Sequence, residues 1–313
     1  MKPKNINFRV KNIIAPINRN LLEQELKNSS YLRSTNFGDN DIYIFDNFQA
    51  PNLMLEVGRL REIAFRSGGG GTGKECDIDD YDTSSDPYKQ LIVWDREKKE
   101  ILGGYRYKLG KNLGTDSQGN PKIATSKLFK FSKEYIDNFL PYTIELGRSF
   151  VRMELVKAQG VRKSIFALDN LWDGLGSLIL RHPEIKYFMG KVTMYQSYNE
   201  HARDLILFFL NKHFEDKNKL ITPIYSLDYK TDTSKFSEIF ISSGFKDDYN
   251  ILSKNVRATG EVIPPLINSY INLSPSMKTF GTSLNKDFGE VEETGIMITI
   301  GDIYDSKKRR HLS

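Results

Sequence analysis

Tyr142-Thr143-Ile144-Glu145-Leu146-Gly147-Arg148-Ser149-Phe150-Val151 is an apolar run interrupted by one carboxylate, one glycine and one guanidinium. Its Ile, Phe, Tyr and Val suit a central strand. A Glu and an Arg inside such a strand are costly unless they are paired or used. The glycine between them gives backbone freedom that a plain strand does not need. Side chains alternate along a strand, so Glu145 and Arg148 point to opposite faces of a regular one. A bulge at Gly147 would put both on one side, and bulges are frequent beside active sites. From these residues alone two readings stay open. One is an ion pair of Glu145 with Arg148 or Arg106 that only orders the core. The other makes Glu145 a general base taking a proton from an amine, since burial moves a carboxylate toward the pKa a base needs.

Outward from this strand, strands and helices alternate. Upstream, residues 18–28 predict a short amphipathic helix and 41–46 a strand. Pro51 opens a helix to about Arg66 with Leu55, Leu60, Ile63 and Ala64 inward, and Gly68 to Gly71 end it. Gln90–Trp94 and Ile101–Tyr107 flank a polar turn and predict a hairpin. Residues 110–126 read as loop, and Ser132 caps a short helix to about Phe139. Downstream, a helix capped by Asp169 or Asn170 runs through Leu180, Ile185–Met194 is a strand, and Asn199 caps a helix over His201–His213. Further helices are expected over Ser234–Ser243 and Pro264–Leu273, with a last strand over Ile296–Ile300. The fold class is α/β, a mixed sheet flanked by helices. The expected division is an N-terminal arm (1–48), a core (49–215), a C-terminal extension (216–302) and a basic tail (303–313).

Composition narrows the function classes. The 313 residues are 39% hydrophobic and 27% charged, ordinary for a globular chain. No run approaches the roughly 18–20 apolar residues that span a bilayer. The basic N-terminus lacks an apolar stretch, so it does not read as a secretory signal. A single cysteine, Cys76, excludes an internal disulfide and fits a reducing compartment. The expected location is cytoplasmic, with peripheral contact at the inner face of the membrane left open. Net charge is +5, concentrated in Arg152–Lys163 and in Lys307–Arg310. Those patches suit nucleic acid, an anionic membrane or an acidic protein, or else a solvated face with a frayed tail.

Several motifs dissolve on inspection. Gly68 to Lys74 satisfies GxxxxGK, but a helix precedes it and Glu75 takes the Ser/Thr position that would meet magnesium. It reads as a flexible loop that could order over a substrate. Asp77, Asp79, Asp80 and Asp82 resemble the start of a calcium loop without its Gly and Glu; a substrate amine or plain solvation are the alternatives. None of the four histidines has metal spacing, and no Ser/His/Asp grammar is present. Glu75 and Asp77 beside Cys76 blunt it as a nucleophile.

Arg61-Glu-Ile-Ala-Phe65, Asp79-Asp-Tyr-Asp82, Gln90–Asp95, Gly103-Gly-Tyr-Arg106 and Glu145-Leu-Gly-Arg148-Ser-Phe-Val151 follow in that order. Together they resemble the acyl-homoserine-lactone synthases and their relatives, the acyl carrier protein-dependent amino-acid N-acyltransferases of ornithine and glycine lipid synthesis. Many of these carry a historical hemolysin label. The tail from Pro264 through Phe280 to Gly289 is similar to the lipid-forming branch. The resemblance implies a GNAT-like acyl-CoA N-acyltransferase fold with a C-terminal extension. It implies transfer of a long-chain (3-hydroxy)acyl group to the amine of glycine or ornithine. The donor would be the phosphopantetheine arm of acyl carrier protein, with no permanently bound cofactor and no metal. Glu145 matches the presumed base and Arg148 its neighbour that braces it or holds substrate. Arg61, Phe65, Asp79, Asp82, Arg106 and Ser149 match substrate-side positions. Arg152, Lys157, Arg162 and Lys163 would face the acidic carrier. Gln159-Gly160-Val161-Arg162 only echoes the usual pyrophosphate loop, which suits a carrier protein over acetyl-CoA. The implied partners are the carrier, the amino acid, the membrane surface and a separate O-acyltransferase, without nucleic acid. A lactone synthase using S-adenosylmethionine, a CoA-dependent GNAT acetyltransferase and a membrane-lytic protein are the alternatives.

Overall fold

The computed structural model describes residues 10–152, 169–241 and 244–311. The strands are β1 (Ser30–Ser34), β2 (Asn40–Phe45), β3 (Lys89–Asp95), β4 (Glu100–Leu109), β5 (Phe129–Phe131), β6 (Thr143–Val151), β7 (Tyr187–Met194), β8 (Ile221–Pro223), β9 (Lys278–Asn285) and β10 (Val291–Thr299). The helices are α1 (Arg19–Leu26), α2 (Pro51–Ser67), α3 (Asp80–Thr83), α4 (Lys133–Asn138), α5 (169–181), α6 (Glu200–Phe214), α7 (Phe236–Ile239), α8 (Phe245–Ala258), α9 (Pro265–Ile271) and α10 (Asp305–His311). Eight strands form a mixed sheet in the order β1-β2-β3-β4-β6-β7-β10-β9, and β5 pairs with β8. The fold is α/β, as the alternation of elements predicts.

By contacts the chain divides into two compact units. The first holds residues 1–107, 148–178 and 286–289; the second holds 108–147, 179–285 and 290–313.

In the first unit β2, β3 and β4 form an antiparallel meander, with Lys99 at positive φ closing the polar turn between β3 and β4. α2 starts at Pro51, where the missing N–H has no intrahelical partner to lose. It buries Leu53, Met54, Val57 and Leu60 against Leu22, Leu26, Phe45, Ile92 and Trp94. Leu55, expected inward, is 38% exposed: it lies one helical step past Met54, off the stripe. The glycine-rich turn after α2 is tied down. The buried Glu62 carboxylate accepts from Thr72 N (3.1 Å), Thr72 Oγ1 (2.7 Å), Gly73 N (2.7 Å) and Arg66 Nε (2.7 Å). A Cβ on Gly289 would come within 2.8 Å of Gly70 Cα, so glycines let two backbones meet there. The loop expected to be flexible is a packed element.

In the second unit β7, β10 and β9 are antiparallel. Phe129, Tyr135, Met189, Leu220, Phe280 and Met297 form its core. Ser132 caps α4 and Asn199 caps α6 through side-chain oxygens that accept from Tyr135 N and Ala202 N. β1, β5, β9 and the fourteen-residue α8 go unpredicted. The tail read as frayed and basic is helical in α10. α7 is shorter than the expected Ser234–Ser243, whose last two residues lie outside the described ones.

Candidate active site

β6 carries both Glu145 and Arg148. Its backbone is irregular, but the left-handed residue is Arg148, at φ 52°, and not Gly147. Gly110 N donates to Thr143 O at 2.8 Å and Arg152 N to Leu102 O at 2.9 Å. Between those two bonds β6 spends one more residue than β4, which is the signature of a bulge. β6 pairs in parallel with β7 over Thr143–Glu145 against Tyr187–Met189, and no further pair joins them among the described residues. Glu145 is therefore the last β6 residue in that pairing, opposite Met189. A Cβ on Gly190 would lie 2.8 Å from the Leu146 carbonyl oxygen, so just past their last pair the two strands still approach closely, at a glycine.

Glu145 is 3% exposed. One carboxylate oxygen, Oε1, accepts from both Thr125 N (2.8 Å) and Thr125 Oγ1 (2.5 Å). Thr125 sits on the 3-10 turn Ala124–Lys127, which points its N–H at the strand. Lys191 Nζ stands 3.4 Å from the same Thr125 hydroxyl and 3.6 Å from Glu293 Oε2. Counting back from the Gly110–Thr143 bond places the buried Lys108 across from Glu145 on β4. Burial pushes the Tyr135 phenol well above its ordinary value, with the Glu145 charge adding to it, so it stays protonated 3.4 Å from Thr143 Oγ1.

The first unit gathers a second cluster of three arginines and three aspartates. Arg106 binds Asp79 with two bonds (2.7 and 3.0 Å) and Asp82 with one (3.0 Å). Arg61, fully buried, meets Asp82 at 3.3 Å and bonds Gln90. Arg148 Nε lies 3.0 Å from Asp77 Oδ2 as an ion pair, off the line of a hydrogen bond, and Nη2 lies 3.7 Å from Asp79. Its guanidinium also sits 4.0 Å from the Phe288 ring centroid, and Phe65 packs edge-on against Phe288 at 5.0 Å. Asp79 and Asp82 form a capping box on α3. Burial raises the Asp79 carboxyl, but Arg106 outweighs it and holds the group well below its usual range. For Asp77 burial wins over Arg148, Arg61 and Arg106, and its carboxyl is pushed up. These acids are therefore spent on arginines, and no metal-binding group of His, Cys, Asp or Glu exists among the described residues.

Of the expected site residues, the structure thus gathers Arg61, Phe65, Asp79, Asp82, Arg106 and Arg148. Ser149 is half-buried beside Arg148 in sequence. Arg152, expected to meet a carrier, pairs with Glu100 at 2.6 Å, a carboxylate that Arg19 also bonds. Lys157, Arg162 and Lys163 lie outside the described residues, as does the 159–162 echo of a pyrophosphate loop.

A family model of the acetyltransferase (GNAT) domain matches residues 60–163. A glycine N(alpha)-acyltransferase of Phocaeicola vulgatus is 53% identical over 300 residues, covering 96% of this chain and 92% of its own. A protein of the same description from Bacteroides thetaiotaomicron is 52% identical, covering 96% and 89%. The chain belongs to the GNAT N-acyltransferase family. Among solved structures, the AHL synthase LasI overlaps 54% of this chain and 77% of its own at a TM-score of 0.30 and 15% identity. No helix of the described part of this acyltransferase is long and apolar enough to cross a membrane.

In this N-acyltransferase the sequence left Thr125, Lys191, Glu293 and Phe288 unremarked. Thr125 and Lys191 lie 20 residues before and 46 after Glu145, and no periodicity links them. Phe288 stands in the tail stretch Phe280 to Gly289, but nothing local gave it a role.

Proposed function

We propose that this acyltransferase moves a long-chain acyl group from the phosphopantetheine thioester of acyl carrier protein to the amine of glycine, in aminolipid biosynthesis. The observation that carries this reading is Glu145, a buried carboxylate held at the last pair between β6 and β7. The names of the two relatives favour glycine over ornithine as acceptor.

The chemistry is thioester aminolysis. The amine nitrogen attacks the thioester carbonyl carbon and forms the C–N bond. Glu145 takes the proton that the nitrogen sheds. The tetrahedral intermediate collapses, the C–S bond breaks, and the carrier thiolate receives that proton. Acyl thioester and amine thus become amide and thiol. Beyond Glu145 no β6–β7 pair exists among the described residues, and backbone N–H groups there would serve a developing oxyanion. Carrier attraction falls in this reading to Arg152, Lys157, Arg162 and Lys163. The enzyme would act at the inner membrane face, ahead of a separate O-acyltransferase.

Purified protein supplied with acyl carrier protein thioester and glycine should yield N-acylglycine by mass spectrometry. Glu145→Gln should remove the product while the circular dichroism spectrum stays native. Product formation at the wild-type rate by that variant would discard Glu145 as base. Product from acyl-CoA alone would discard the carrier as donor.

A further inference from the structure

Lys191 is a lysine with unspent donors beside the proposed base. Its side chain is only 14% exposed. An ammonium carries three donors. Among the described residues Nζ makes one long hydrogen bond, 3.4 Å to Thr125 Oγ1, and stands 3.6 Å from Glu293 Oε2, beyond hydrogen-bond reach. Glu293 Oε2 is itself buried without a hydrogen bond among the described residues. Burying such charges is costly unless something completes their bonding. The same Thr125 hydroxyl sits 2.5 Å from Glu145 Oε1. Lys191 Nζ is thus no farther than about 6 Å from the proposed base.

Glycine has no side chain to recognise, only an amine and a carboxylate on one carbon. A base that reaches the amine and a cation one short step away that reaches the carboxylate match both ends. We propose that Lys191 is the acceptor-binding residue that takes the carboxylate of the amino acid, with Glu293 holding the lysine charged and in place. This rests on the proposed acylation of glycine. It adds a selection rule: amines without a neighbouring carboxylate are poor acceptors.

Glycine and glycinamide share the amine and differ in the carboxylate, so they make the test. The variants are Lys191→Met and Lys191→Arg, each measured against wild type with acyl carrier protein thioester as donor. Wild type should prefer glycine. Lys191→Met should lose about 10- to 100-fold in kcat/KM for glycine, mostly in KM, as expected for losing a hydrogen bond to a charged group. Its glycinamide rate should stay within about threefold, the spread of such effects being a factor of a few. Lys191→Arg should restore part of the preference. An equal fall for both acceptors would make Lys191 a support for Thr125 and Glu145 and overturn the proposal, and so would no change for either. Calorimetry of glycine binding without donor separates this claim from the acyl-transfer reading. Binding by wild type and not by Lys191→Met upholds the anchor even where turnover is absent; no binding by wild type overturns it.

Discussion

Thr125 gives both its backbone N–H and its hydroxyl to a single oxygen of Glu145, at 2.8 and 2.5 Å. The carboxylate is thereby oriented from one side by a turn 20 residues away in sequence. A hydrogen bond to a charged group is worth about 1.5–3 kcal/mol. Thr125→Val keeps the shape and the backbone bond but removes the hydroxyl. Its kcat/KM should fall about 10- to 100-fold with the fold intact, and Thr125→Ser should recover most of the loss. A valine variant with unchanged kinetics would show that the hydroxyl does not serve the carboxylate.

The acid side of the stability profile should report Asp79. Its folded-state pKa is depressed, because Arg106 outweighs the effect of burial. A depressed carboxylate contributes stability above its unfolded pKa and loses it as pH falls through the folded value. The urea midpoint should therefore decline as pH drops below about 3.8, the ordinary value for this group. Asp77 has the opposite sign: burial raises it, so it favours the fold most when protonated and offsets part of that decline. Asp79→Asn should be less stable at neutral pH and show a flatter acid limb. Midpoints that decline in parallel for variant and wild type would contradict the ion-pair account.

How much of this was legible depends on range. The β3–β4 hairpin follows from two apolar runs around a charged turn, and α2 and α6 from a proline, a capping Asn and helical spacing. These signals are local, and the structure honours them apart from Leu55. α8 was also local: Phe245, Tyr249, Leu252 and Val256 have helical spacing, diluted by the charged residues between them. The strand with Glu145 was readable because a buried charge stands out among apolar neighbours. What surrounds it was not, since Thr125, Lys191 and Glu293 reach it through chain topology. The acidic run was visible as charge, while its arginine partners were visible only as separate residues. The bulge was expected at glycine, where left-handed φ is cheap; the chain instead places Arg148 there, held by Asp77, Asp79 and Phe288.

Cys76 should be a poor nucleophile. Burial, then the Asp77 charge, pushes its thiol to about 12. The reactive species is the thiolate. At pH 8 an aromatic disulfide reagent should label it about a thousandfold more slowly than an ordinary exposed thiol of pKa about 8.5. Unfolding in urea should restore the ordinary rate. Fast labelling of the native protein would mean that the site opens or that burial does not govern it.

Gly190 is where β6 and β7 approach closely just past their last pair, and the proposed chemistry depends on that placement. A Cβ there would sit 2.8 Å from the backbone oxygen of Leu146, and a backbone atom cannot swing aside as a side-chain end can. Gly190→Ala must therefore push the strands apart or tilt β6. Either response disturbs Leu146, the residue next to Glu145. Overpacking of this kind costs about 1–3 kcal/mol. The variant should lose that much stability in urea, and its kcat should fall more than Lys191→Met lowers it, because the base itself moves. Pairing it with Leu146→Ala should not recover activity, since the clash is with main chain. If Gly190→Ala folds as stably as wild type and turns over at the same rate, the close approach of the two strands is not what sets Glu145 in place.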